Sequence, residues 1–199
     1  MSFKNLFKIC LLIAFALTSA NAMKQDEIQP IMTKKIDNVL SILEQKSLPM
    51  SKKGEQIIKL IDEVFDYELM ARIALGKETW DTLNEQKQKE FTKIFENKLK
   101  NSYIEKLELY NDQKVKVIGL NPYNKTRLQL ETELLGKDGV YKINYNFYNK
   151  SKDSEQWLIY DVDLVGVSII QTYRQQFAGL LKEKTFDEML VLLEKPNTK

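Results

Sequence analysis

Histidine is absent from this 199-residue chain, and cysteine occurs once, at Cys10. Glycine and proline are sparse, at seven and four residues, and no internal repeat or low-complexity segment is visible. Charge of one sign is also missing: 30 Lys and Arg face 28 Asp and Glu, which removes the electrostatic case for a nucleic-acid partner. The longest unbroken apolar run, Ile9–Leu17, is far short of the roughly 20 residues that span a bilayer.

That run belongs to an address rather than to a fold. Lys4 and Lys8 precede it and Ala20-Asn21-Ala22 follows it, which is the order of a cleaved export signal. Cleavage after Ala22 is expected, leaving residues 23–199 as one exported domain. Lys4, Lys8 and Cys10 leave with the signal and no acid does, so 28 bases balance 28 acids in the expected mature chain. That chain has neither thiol nor imidazole. Ser-His-Asp and Cys-His nucleophiles, His- or Cys-ligated zinc, His-ligated haem and thiol redox chemistry are thereby excluded. Carboxylate, Lys, Tyr, Ser or Thr chemistry remains, together with binding.

What is present reads as helices, then a meander, then helices. Ile28, Met32, Ile36, Val39, Leu40 and Leu43 follow a helical period that Pro49 interrupts. A second helix from near Ser51 carries a broad apolar face (Ile57, Ile58, Leu60, Ile61, Val64 and Phe65). Asp66 caps a short third helix that Gly76 ends. The longest helix is predicted over 85–109, capped by Asn84 or Thr82, with a stripe at Phe91, Phe95, Leu99, Tyr103 and Leu107. Beyond Asn111 the period becomes two. Val115 and Val117 lead past a bulge to Leu120, and segments at 128–134, 141–147 and 157–165 alternate likewise, the last with Asp161 and Asp163 facing outward. Ser168 and Thr185 cap two final helices. The expected fold class is α+β: a curved antiparallel meander of about four strands wrapped by N- and C-terminal helices around an apolar cavity.

Candidate chemistry is thin. Asp62, Glu63, Asp66 and Glu68 cluster, and Asp161 and Asp163 share a strand face, so a carboxylate-dependent glycan hydrolase is one alternative function. A ligand-free adapter with a filled core is another. Gly136-Lys137-Asp138-Gly139 lacks the spacing of a phosphate loop and suits a hairpin. Of the three arginines, Arg72 and Arg174 lie in otherwise apolar helical stretches, where a guanidinium either pairs with an acid or meets an anionic headgroup.

Two segments resemble a known family. Phe65-Asp66-Tyr67 through Gly76, Trp80 and the Phe91, Phe95, Leu99, Tyr103 ladder form the first. Tyr160-Asp161-Val162 followed by Gly166 through Phe177 forms the second. Both are similar to the MlaC, or toluene-tolerance auxiliary, family of periplasmic phospholipid carriers. The resemblance implies a non-enzymatic shuttle with a phospholipid as cargo and no other cofactor. Its implied partners are an inner-membrane ABC transporter bearing an MCE-type subunit and an outer-membrane lipoprotein complex, serving the lipid asymmetry of the outer membrane. By the same analogy Phe65, Leu69, Ile73, Phe91, Phe95, Tyr145, Phe147, Tyr160, Val162, Val167, Ile170 and Tyr173 are cavity-lining candidates, and Arg72 and Arg174 are headgroup candidates. A monomer is expected. A diacyl lipid has roughly 30 methylenes at about 0.8 kcal/mol each, so on the order of 20–25 kcal/mol opposes its leaving a membrane, and a carrier must offset most of that with apolar space.

Overall fold

The computed structural model describes residues 23–107, 110, 112–151 and 154–195. The expected signal at 1–22 lies outside them. Helix α1 (Ile28–Glu44) turns its apolar stripe inward, burying Ile28, Met32, Ile36 and Leu43. Helix α2 (Met50–Ile61) starts directly after Pro49 with no side-chain cap. A 3-10 turn at Asp62–Val64 then leads to α3 (Tyr67–Leu75), where Asp66 accepts the Leu69 N–H at 3.0 Å. Gly76, at φ +87°, stops α3 in the left-handed region that favours glycine. A short helix not anticipated from the sequence, α4 (Lys77–Thr82), buries Trp80. The long helix α5 (Glu85–Leu107) is capped by Asn84, which accepts the Lys87 N–H at 2.9 Å, and not by Thr82.

The sheet is an antiparallel meander in the order β1 (Lys114–Asn124), β2 (Arg127–Gly136), β3 (Gly139–Asn149), β4 (Trp157–Leu164) and β5 (Val167–Ser168). Its register breaks between Val117 and Gly119, at the anticipated bulge. The fifth strand is an addition to the expected four. Val165 (φ 54°) and Gly166 (φ 84°) make the tight turn into it, both left-handed. Helix α6 (Ile169–Leu180) follows under a Ser168 cap, and α7 (Phe186–Glu194) under a Thr185–Glu188 capping box.

One expectation is corrected here. Asp161 is not on a solvated face: it is buried, accepting the Ser168 hydroxyl at 2.6 Å and the Ile170 N–H at 3.1 Å. The start of α6 covers it, so the strand's alternation does not report exposure at this edge.

Apolar residues gather in two clusters. One lies among α3 to α7, with Met70, Trp80, Phe91, Phe95, Ile170, Phe177 and Met189 fully or nearly buried. The other lies where α1 meets the sheet, with Ile28, Met32, Leu128, Leu130, Phe147, Trp157 and Ile159.

Candidate functional site

The two clusters do not close on each other. Between the sheet and the α1–α2 pair lies a cavity of about 420 Å³, within the 300–1,000 Å³ or so usual for ligand sites. Helix α1 contributes Met32, Ile36, Val39, Leu40 and Leu43, spaced at steps of three and four on one face. Helix α2 contributes Gly54, Ile57, Ile58 and Ile61, again one face. The C-terminal half of α5 supplies Leu99, Tyr103, Ile104 and Leu107, and the strands supply Val115, Leu134, Ile143, Tyr145, Val162 and Leu164. In-register pairs put these strand residues on a common face, for instance Val115 opposite Leu134 and Tyr145 opposite Val162. The side chains of these facing elements leave the space between them open.

Polar groups on the wall are few and tied down. Lys35 donates to Glu63 at 2.6 Å and to the Leu60 carbonyl at 2.7 Å. Lys100 bridges Asp62 and Glu96, each at 2.6 Å, and lies 4.7 Å from the centre of the Tyr67 ring. The turn at Asp62–Val64 is thus clamped by one lysine from α1 and one from α5. Burial pushes the Tyr145 hydroxyl up to about 12 and raises that of Tyr103, so both phenols stay neutral against the apolar space. Among the described residues no group of three or more acidic side chains is placed to hold a metal ion.

Of the twelve lining candidates, Phe65, Tyr145 and Val162 stand on this wall. Phe91, Phe95 and Ile170 are in the helical cluster, with Ile73 and Tyr173 packed against it. Leu69 sits half-buried in the first turn of α3. Phe147 is at the centre of the other cluster. Tyr160 packs edge-on against Tyr148, with Arg127 over both rings at 5.0 and 5.1 Å. Val167 is exposed. Arg72 and Arg174 are exposed too, and neither reaches the cavity. The wall residues not singled out from the sequence include all those of α1 and α2, those of α5, and Val115, Leu134, Ile143 and Leu164 of the strands. For α1 and α2 the signal was there, in two consecutive helices with broad aliphatic faces.

Most of the acids named for hydrolysis are occupied elsewhere, and Glu68 is exposed in the first turn of α3. Asp62 and Glu63 serve the lysine clamps, and Asp163 accepts the Gly166 N–H at 2.7 Å in the β4–β5 turn. Burial alone would raise the Asp66 carboxyl. Hydrogen bonds from Tyr148, the Leu69 N–H and Lys150 outweigh it and hold the group below the usual carboxylate range, the reverse of what a general acid needs.

A match to the MlaC protein family spans residues 33–195. The chain belongs to the MlaC family. Its fold is similar to a phospholipid-binding protein from Ralstonia solanacearum, solved in complex with a phospholipid, with a TM-score of 0.70 over 83% of this chain and 94% of that one. Identity is 19%, so the likeness is one of fold: a curled antiparallel sheet flanked by helices, shared across MlaC-type architecture. Within that architecture the cavity lies between the sheet and the α1–α2 pair.

Proposed function

We propose that this protein is a periplasmic phospholipid carrier. It takes lipid between the outer membrane and an inner-membrane ABC transporter with an MCE-type subunit, meeting an outer-membrane lipoprotein complex at the other end, and performs no catalysis. The observation that carries the reading is an aliphatic cavity of about 420 Å³ in a member of the MlaC family. Periplasmic location rests on the export-signal pattern at residues 1–22.

The chemistry agrees. Acyl chains need apolar area and no reacting group, and the wall offers Ile, Leu, Val and Met with its cations neutralised. Release then requires the roof to move. Helix α2 suits that role, because its N-terminus lacks a side-chain cap and its outer face is solvated. The full chain, expressed and purified without detergent, should yield phospholipid on solvent extraction, near one equivalent per protein by mass spectrometry. Protein free of lipid, in cells and after exposure to phospholipid vesicles, would refute the carrier and favour the adapter.

A further inference from the structure

Four tyrosines among the described residues stand on the cavity wall, and they are not equivalent. Tyr67 donates its hydroxyl to Asp62 at 2.8 Å, and Tyr110 lies near the carboxylates of Glu44 and Asp112. Tyr103 and Tyr145 make no hydrogen bond through their hydroxyls among the described residues. Away from the cavity the phenols are engaged in the usual way, Tyr148 donating to Asp66 and Tyr173 to Ser102 at 3.5 Å. A phenol taken out of bulk water normally finds a partner, because an unmet hydroxyl forfeits its bonds to water without replacing them.

The two hydroxyls are unmet by protein but not sealed. Among the described residues, the side-chain polar atoms that are both sealed and unpaired are Asn144 Oδ1 and Trp157 Nε1. The phenols of Tyr103 and Tyr145 therefore open onto space, and on this wall that space is the cavity. Their rings are anchored from different sides. Tyr103, on α5, packs against the helical cluster, and Tyr145, on β3, packs against the cluster where α1 meets the sheet. The two phenols are still close enough to interact electrostatically, so they form a pair between the two cores.

Charge decides what such a pair takes from a ligand. Burial keeps both phenols neutral, so each has a proton to donate. The cations of the wall, Lys35 and Lys100, are already held by Glu63, Asp62 and Glu96, and the Asp161 carboxylate lies near Tyr103. A phosphate or a free carboxylate at this point would face that negative charge with no cation left to offset it. A neutral acceptor meets no such opposition. In a phospholipid the neutral acceptors are the ester carbonyls, which join the headgroup end to the acyl chains that the aliphatic wall would hold.

We propose that Tyr103 and Tyr145 are the ester-reading pair of the cavity, their hydroxyls donating to the acyl ester carbonyls of the bound phospholipid. The proposal rests on the carrier reading above and adds the linkage between chains and headgroup to what the site recognises.

In the test, the lipid-stripped full chain meets vesicles holding equal amounts of diacyl and dialkyl-ether phosphatidylglycerol with matched chains, and the captured ratio is read by mass spectrometry. Headgroup and chain length are the same, so the carbonyls are the difference. Desolvating an ester carbonyl that finds no donor favours the ether. Two phenolic donors should reverse this and favour the ester by about fivefold or more. Tyr103→Phe combined with Tyr145→Phe removes the two hydroxyls and should bring the ratio to one or below. Tyr67→Phe removes a hydroxyl already given to Asp62 and should keep the wild-type ratio. An unchanged ratio in the double variant, or an equal fall in Tyr67→Phe, overturns the proposal. Wild type taking ester and ether alike also overturns it and leaves the carrier standing; wild type taking neither ends both. A second measurement does not depend on any variant folding. With the ester carbonyls labelled with carbon-13, NMR of lipid-loaded wild type should show through-space contacts from them to the Tyr103 and Tyr145 rings, and contacts to other wall residues alone would overturn the pair.

Discussion

Helix α5 runs through two different interiors. Its first half places Phe91 and Phe95 in a filled cluster: the two rings stack at 6.0 Å, Phe177 meets Phe91 edge-on at 5.7 Å, and Tyr173 meets Phe95 at 5.2 Å. Its second half continues the same stripe through Leu99, Tyr103 and Leu107, which face the cavity. The periodicity is identical, and what differs is the opposite wall. Helices α3, α6 and α7 bring rings to the first half, whereas α1 and α2 bring Met32 and Val, Ile and Leu to the second. A helical stripe reports which face leaves water; it does not report whether protein or cargo fills the space it faces.

Truncation should separate the halves most sharply. Phe95→Ala removes a fully buried ring from packed surroundings and should cost about 3–5 kcal/mol by urea denaturation. Ile61→Ala, on the half-exposed cavity wall, should cost roughly 1 kcal/mol, since one side already lacks partner atoms. Equal losses at the two sites would mean that the cavity is closed in solution.

Asp66 joins the regions, capping α3 while accepting from Tyr148 of β3 and from Lys150 just beyond it. Asp66→Asn should cost about 2 kcal/mol at neutral pH, as for a buried group losing charge-assisted bonds. The folded carboxyl is held low, so on acidification the unfolded chain takes the proton first. The stabilisation is therefore complete above roughly pH 4 and fades as pH falls through the lower folded value. Urea midpoints measured against pH should show wild type and variant converging in acid; a constant gap would separate Asp66's role from its charge.

Much of the architecture was legible because local chemistry and global pattern agree. Asp66, Ser168 and Thr185 cap the helices they were expected to cap, and the change of period after Asn111 marks the sheet. The site was less legible. Rings drew attention as lining candidates, but a ring's area and shape also make it the best filler of a packed core, and Phe91 and Phe147 serve as such. The cavity depends on a mismatch of reach between α1–α2 and the sheet, a property of three elements together that no single segment displays.

Filling the cavity sharpens the comparison from the other side. Ile61→Trp gives the cavity half of α5 the kind of ring its packed half already meets, and should change stability by no more than about 1 kcal/mol while lowering extracted lipid several-fold. Loading that survives the added ring would place the cargo elsewhere on the molecule.

The smallest effects belong to the arginines. Arg72 and Arg174 are exposed on the outside of the filled region, Arg174 with its Nε beside Gly76. Neither has a part in the cavity wall, and exposed charges away from special contacts move stability by about 0.5 kcal/mol or less. Charge reversal at both, Arg72→Glu with Arg174→Glu, should therefore leave lipid stoichiometry and the urea midpoint close to wild type. A loss of bound phospholipid in that double variant, with stability kept, would place the headgroup on the far side of α3 and α6. It would also mean that the filled half of the molecule takes part in binding after all, and the division of α5 into a packed half and a cargo half would have to be given up.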